Sequence, residues 1–369
     1  MTSSYFKSLD DKGQSRAVLD LELPSYRQAY SDRTAWVMSV LSELVYIKFN
    51  PLFANLSPQS DGQDPEYIKA HFIQRITKMI DSDRATLLSS IIDNVAYDHH
   101  SEKLKLEAQL SEFDFKINTT FDSKGTQAIL VENEKYLALV FRGTETDSLD
   151  DIKADARANI RKCETRGMIH SGFYFAYQHI RMEVEQVLLK PENASKPLYI
   201  TGHSLGGALA TVATKFIHHP GGLAACYTFG SPRVGNDDWI NNIKTPIHRL
   251  VNAADCVTML PPGDVTVTLL STLAKLVPGA GERAAAWLQA KFGGYMHAGN
   301  MRYLTNCTPG DYDDVKVLYT VSFFYRLKAL VYKSLPFTKL LSDHSINVYS
   351  TKLMVIAFKR NRRKLTESS

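Results

Sequence analysis

Several things are scarce in this sequence, and each scarcity removes a class of explanation. Its 369 residues include only four cysteines, Cys163, Cys226, Cys256 and Cys307. None makes a Cys-x-x-Cys or any metal-type spacing, so neither a disulfide scaffold nor a zinc site organises the chain. Unpaired thiols in a reducing compartment are the expectation. Charge of one sign is also lacking: 43 Lys and Arg against 39 Asp and Glu leave a formal net charge of +4. That small excess does not call for a nucleic-acid partner. No run approaches the ~18 uncharged apolar residues of a membrane span. The opening Met1-Thr-Ser-Ser-Tyr-Phe-Lys lacks the basic and apolar segments of a secretory leader. A cytoplasmic location is therefore expected, although signal-independent export would leave the same start.

What is present is ordinary globular composition, 44% hydrophobic with 20 glycines and 14 prolines. The length suits one large α/β domain or two small ones. Residues 1–25 are polar and read as loosely packed. Ser31-Asp32 marks a helix start, and apolar residues at helical spacing run from Ala35 to Phe49. Further helical patterns follow Asp64-Pro65 and cover Thr86 to Val95, which predicts a helical N-terminal extension over 1–105. Within it, Asp98-His99-His100 lacks a second ligand cluster and reads as a solvated loop rather than a metal site.

From Phe113 the period changes to that of strands. Thr126 to Val131 and Tyr136 to Phe141 flank Glu132-Asn-Glu-Lys135 as a hairpin. A weak helical pattern over 147–161 precedes a long helix from Gly172 to Leu189. Strands are predicted at Leu198–Thr201, Ala224–Phe229 and His248–Val251. Strands alternating with helices argue an α/β fold, with a mainly parallel central sheet flanked by helices. Ligands in such sheets bind at the C-terminal strand ends, where Thr144, Ser204 and Asp255 fall.

One stretch carries chemistry on its face. Gly202-His-Ser-Leu-Gly206 is a G-x-S-x-G match between a β-branched run and an Ala/Leu-rich helix. A serine on so sharp a turn sits in strained backbone, and its neighbours two residues either side must lack a Cβ. The following helix aims its positive end at Ser204. A serine hydroxyl needs a base, and the base needs a carboxylate. Asp255 lies just past a strand end in apolar company, whereas Asp237 and Asp238 look like a helix N-terminus. For the base, His297 in Gly294-Tyr-Met-His and His344 in Asp343-His344 both satisfy the order Ser, Asp, His. His203 adjoins the serine and points elsewhere; His170 precedes a helix and reads as structural.

In order along the chain stand Phe141-Arg-Gly-Thr144, His170-Ser-Gly-Phe173, Gly202-His-Ser-Leu-Gly-Gly207, Thr228-Phe-Gly-Ser-Pro-Arg-Val-Gly-Asn236, Val251-Asn252 with Asp255 and Leu260-Pro-Pro262, and Asp343-His344. Together, from about Phe113 to Tyr349, they resemble the class 3 lipase family of α/β-hydrolases, and a bacterial-type member of it. The resemblance implies Ser204 as nucleophile, Asp255 as acid and His344 as base. It also implies Thr144 and the Leu205 N–H as oxyanion-hole donors, with no cofactor and no metal. The family's Gly-Tyr-x-His histidine, here His297, is not the base. The gap from Asp255 to His344 exceeds the usual one, and the excess sits in an insert at 263–294.

The implied activity is lipid-ester hydrolysis of the triacylglycerol lipase or phospholipase A1 type. A short-chain or aryl esterase, an acyltransferase and a non-catalytic lipid-binding module are the alternatives. The family's lid segment falls on 145–157, here rich in charge. The insert, read as two helices, is the candidate replacement: an apolar cap or a remote packing hairpin. The hydrolase core is expected over 106–358, followed by a basic tail at 359–369. That tail, beside an apolar stretch from Val317 to Leu341, allows peripheral contact with an anionic membrane; a solvated tail is the plainer reading.

Overall fold

The computed structural model describes residues 4–6, 8–54, 97–144, 160–276, 278, 280–333 and 342–367. The helices expected after Asp64 and over 86–95, and the lid segment 145–157, lie outside them.

Helix α1 is Leu9–Leu19, its first turn capped by Ser8. The loosely packed start expected for 1–25 is thus in part a helix. Helix α2, Asp32–Leu44, is capped by Ser31 and buried from Thr34 through Ser42 and again at Leu44. A helix apolar nearly all round must be covered on every side. Helix α3, His99–Ser111, begins at Asp98, whose carboxylate accepts from the Ser101 N–H. The Asn50 N–H donates to His99 Nδ1 at 2.9 Å, and His100 Nδ1 bonds the Ala54 carbonyl at 3.0 Å. Asp98-His99-His100 is accordingly a helix entry and not the expected solvated loop.

The sheet strands are β1 Lys116–Ser123, β2 Thr126–Glu132 and β3 Leu137–Phe141. A small separate pair follows, β4 Ile160–Lys162 and β5 Met168–His170. Helix α4, Ser171–Leu188, then leads to β6, Leu198–His203, and helix α5, Leu205–Phe216. After β7, Leu223–Phe229, and β8, Ile247–Asn252, the insert forms helices α6, Asp264–Ala274, and α7, Gly281–Phe292. Strands β9, Asn300–Leu304, and β10, Val317–Leu318, are followed by helix α8, Phe323–Lys333, and helix α9, Ile346–Glu367.

Eight strands form one sheet in the order β1-β2-β3-β6-β7-β8-β9-β10. β3, β6, β7, β8 and β9 run parallel, and β2 and β10 pair antiparallel at either side. The parallel strands β3, β6 and β8 are buried at every residue, as strands covered on both faces must be. On one face Ile200 joins a core with Phe141, Tyr177, Ile180, Val212 and Phe216 from β3, α4 and α5. Thr201 points the other way, where its hydroxyl meets Ser42 of α2 at 3.0 Å. α9 packs against α2 on that side. Each fully buried Leu, Val or Phe contributes about 1.5–3 kcal/mol. The plan is that of an α/β-hydrolase.

Two expected boundaries are corrected. The chain divides into one unit of 1–7 with 46–116 and another of 8–45 with 117–369, so α1 and α2 belong with the sheet rather than with an extension ending at 105. The basic stretch after 358 is not a separate tail but the last turns of α9.

Candidate functional site

The strand-turn-helix at Ser204 is built around two forced glycines. A Cβ on Gly202 would lie 2.3 Å from the Gly206 carbonyl oxygen, and one on Gly206 would lie 2.3 Å from the Phe141 carbonyl oxygen. Neither side chain could be accommodated without moving backbone. Ser204 itself adopts φ 56° and ψ −125°. Holding a non-glycine residue there costs on the order of 1–3 kcal/mol. Ser204 also occupies the N-cap of α5, yet its side chain makes no capping bond. Giving up a serine cap costs about 1 kcal/mol. The hydroxyl is committed elsewhere: Ser204 Oγ lies 2.8 Å from His344 Nε2.

His344 ends a single 3-10 turn, Ser342–His344. Its Nδ1 lies 3.1 Å from both carboxylate oxygens of Asp255. With Nδ1–H facing a carboxylate, Nε2 is left to accept from the serine hydroxyl. Asp255 is fully buried. It also accepts from the Val257 N–H at 3.0 Å and from the Tyr349 hydroxyl at 2.7 Å. Burial first, then the charge of Asp255 and the hydrogen bond to it, hold the Tyr349 pKa well above the usual phenol value. Tyr349 therefore stays a donor. Its oxygen in turn accepts from the Asn252 N–H at 2.8 Å.

A second set of bonds ties down the turn that carries His344. Asn252 Nδ2 donates to the Asp343 carbonyl, Ala254 N–H to the Asp343 carboxylate, and Lys352 Nζ to Asn252 Oδ1 at 2.7 Å. His203 points away from Ser204, and its Nε2–H donates to the His344 carbonyl at 2.6 Å. Burial, followed by neighbouring His344, holds the pKa of His203 well below its ordinary value, so the ring is neutral. Gly230, φ 61°, closes the site from below: a Cβ there would stand 2.8 Å from Asp255 Oδ2 and 2.9 Å from the His344 ring.

The structure thus brings Ser204, Asp255 and His344 together and leaves His297 out. His297 Nε2 donates to the Thr258 carbonyl at 2.7 Å. Burial and the nearby guanidiniums of Arg249, Arg233 and Arg326 hold its pKa well below the usual value. Thr144 follows β3, and Phe141 pairs with Gly202 across the parallel β3–β6 ladder, so Thr144 and Ser204 share one sheet edge. Leu205 opens α5, where first-turn N–H groups have no intrahelical acceptor. Asn236 caps the turn Asp237–Ile240, and Asp238 meets Arg166 at the surface. His170 caps α4 through Nδ1 and stacks on Phe173. All four cysteines are unpaired. Among the described residues no group of three His, Cys, Asp or Glu side chains is placed to hold a metal. None of the described helices is long and apolar enough to cross a membrane.

The sequence reading overlooked Tyr349, Asn252, Asp343, Lys352 and Gly230 as parts of this site. Gly230, Asn252 and Asp343 carried a signal, lying within Thr228-Phe-Gly-Ser-Pro, Val251-Asn and Asp343-His344.

Residues 138–265 match the family described as Lipase (class 3). A secreted mono- and diacylglycerol lipase of Fusarium solani is 36% identical over 99 residues, 26% of this chain and 30% of that protein. A secreted mono- and diacylglycerol lipase of Malassezia globosa is 32% identical over 164 residues, 39% and 53% of the two chains. A chloroplastic phospholipase A(1) of Arabidopsis thaliana is 30% identical over 151 residues, 34% and 33%. The chain therefore spans about a third to a half of the length of these relatives. Relatives that are secreted count against the expected cytoplasmic location, which rested on how the sequence starts. These fungal and plant proteins give no support to a bacterial-type assignment. The match to the class 3 lipase family takes in the nucleophile turn and the acid strand, and is confined to residues 138–265.

Proposed function

We propose that this chain is a serine carboxylester hydrolase acting on lipid esters, of the triacylglycerol lipase or phospholipase A1 type. One observation carries the reading: an unbroken hydrogen-bonded line from Ser204 Oγ through His344 to buried Asp255, at the C-terminal edge of a parallel sheet. Ser204 attacks the ester carbonyl as His344 Nε2 takes its proton, and Asp255 holds the imidazolium that forms. The N–H groups of Thr144 and Leu205 receive the oxyanion, each such donor being worth about 3 kcal/mol of barrier. His344 returns the proton to the leaving alcohol. Water, deprotonated by the same imidazole, then releases the acid and restores Ser204.

The test is hydrolysis of chromogenic esters from two to sixteen carbons. Ser204→Ala and His344→Ala are each expected to lower kcat by ~10⁶, the scale of nucleophile or base loss in a serine hydrolase. His297→Ala keeps most of the activity. Loss confined to His297→Ala in a folded protein would overturn the assignment of the base. An optimum at two to four carbons would make the enzyme an esterase instead.

Lipid as the substrate class rests on the insert as well as on the relatives. The insert exposes Leu269, Leu270 and Leu273 of α6, Leu276 just past it and Trp287 of α7, a concentration of apolar surface that proteins seldom leave bare without a use. The hairpin starts just after the acid loop, and its base is closed by the Gly294 N–H donating to Asp264 at 2.7 Å. On the basic side, Lys359, Arg360 and Arg363 of α9 line a cavity of about 1010 Å³ together with Arg27 and Arg33. Cations near an anionic bilayer are worth about 1 kcal/mol each. Leu273→Ser with Leu276→Ser is expected to weaken pelleting with lipid vesicles and the turnover of sixteen-carbon esters, sparing two-carbon esters. Lys359→Glu with Arg363→Glu should weaken pelleting with anionic vesicles alone. Unchanged pelleting in both variants would remove the membrane face from the reading.

A further inference from the structure

Beside the acid loop lies a group of cations that the reaction does not use. Arg249 projects from β8 and is 7% exposed; Arg326 projects from α8 and is 3% exposed. Arg233 follows β7 and spends one amino group on the carbonyls of Met259 and Pro261, at 2.5 and 2.6 Å. Arg326 gives one amino group to the Thr258 hydroxyl. The remaining donors are unmet: Arg249 Nε and Nη1 and Arg326 Nε are buried without a hydrogen-bond partner. The cross-strand neighbours of Arg249 are Thr228 on β7 and Met301 on β9, and neither is a carboxylate. Among the described residues none of the three arginines is in an ion pair, although the charges of Asp264 and Asp255 act from further off on Arg233 and Arg326. Burial and mutual repulsion push Arg249 down to about 9 and Arg233 down to about 10.

Gathering buried guanidiniums without a counter-charge is costly, and a cost of this kind is offset by a ligand of opposite sign. Planar guanidinium forks match the oxygens of carboxylates and phosphates. Here the unmet N–H groups come from two separate elements, β8 and α8. A tetrahedral anion offers three or four oxygens that do not lie in one plane, whereas a carboxylate offers two within its plane. We propose that Arg233, Arg249 and Arg326 form an anion site beside the Asp255 loop that takes a phosphate-class oxyanion, free or as a phosphomonoester. Occupancy fixes Thr258, which receives from Arg326 and donates to the Asp255 carbonyl at 2.9 Å. The anion thus steadies the loop that presents the acid, and the site is independent of which ester is cleaved.

The experiment is thermal unfolding of the full chain with sodium phosphate, against sodium chloride at matched ionic strength. Phosphate should raise Tm saturably, by roughly 2–5 °C. Arg249→Met should abolish the phosphate dependence while melting in chloride at or above the wild-type temperature, since it removes an uncompensated buried charge. Arg326→Met serves as a second variant, with the same expected loss, should Arg249→Met fail to fold. A water-soluble dihexanoyl phosphatidate, tested on Ser204→Ala protein to prevent turnover, separates the sources. A shift at a much lower concentration than inorganic phosphate assigns the site to a phosphomonoester headgroup; the reverse order assigns it to free phosphate. Equal effects of phosphate and chloride, or phosphate dependence that survives in the arginine variants, would overturn the proposal.

Discussion

His344 and His297 are two imidazoles beside one sheet, and their surroundings have almost nothing in common. His344 has a buried carboxylate on Nδ1 and a serine hydroxyl on Nε2. His297 has a backbone carbonyl on Nε2 and three guanidiniums around it. A base must accept a proton and then live as a cation. The first setting stabilises that cation, whereas the second repels it. The same side chain is a candidate base in one place and a fixed donor in the other, and the difference lies wholly in neighbours that are remote in sequence.

Removing the favourable neighbour is the strongest way to break the contrast. Asp255→Asn keeps the shape but loses the charge and favours the wrong tautomer of His344. Ester-hydrolysis kcat should fall by about 10⁴. A fall below tenfold in a folded variant would mean that Asp255 is not what distinguishes the two histidines. Tyr349→Phe probes one support of that carboxylate. A hydrogen bond to a charged group is worth about 1.5–3 kcal/mol, so a drop of roughly ten- to a hundredfold in kcat is expected with KM nearly unchanged. A change in KM alone would point to substrate contact instead.

The smallest effect sharpens the electrostatic side. His203 and His297 are both held neutral, with folded pKa values depressed below 6.5. Between that value and the depressed one, the unfolded chain binds protons that the folded chain refuses. Stability is therefore unaffected above about pH 6.5 and declines as pH falls below it. His203→Gln keeps a donor for the His344 carbonyl without titrating. The fall in Tm from pH 7 to pH 5 should become shallower, with activity at pH 7.5 little changed. An unaltered slope would show that His203 contributes nothing to acid lability.

Much of the frame was legible because it is local. The alternation of β-branched runs and helical periods placed β2, β3, β6, β7 and β8 within a residue or two, and the capping residues Ser31 and Asn236 marked true helix entries. The glycines at 202 and 206 announced a backbone without room for a Cβ. Other features were not local and were misread. Asp98-His99-His100 looked like a loop because its helix is stabilised by contacts with Asn50 and Ala54. The stretch after 358 looked like a tail because its charges hide that α9 continues through it. Tyr349 and Lys352 gave no sign, since an aromatic and a lysine on a terminal helix are ordinary until something buried lies opposite them.

By itself the sequence determined the strained serine turn, because backbone sterics at Gly202, Ser204 and Gly206 act over five residues. It likewise determined the layered α/β plan, because hydrophobic period is a property of each segment. Only the tertiary structure decided which histidine faces Ser204, what holds Asp255 in place, and that Arg233, Arg249 and Arg326 lie near one another with no ion pair among the described residues. Those are questions of proximity between residues many tens of positions apart. Hydrogen bonds form only at contact distance and charge–charge interactions weaken with separation in space, and no spacing along the chain records either.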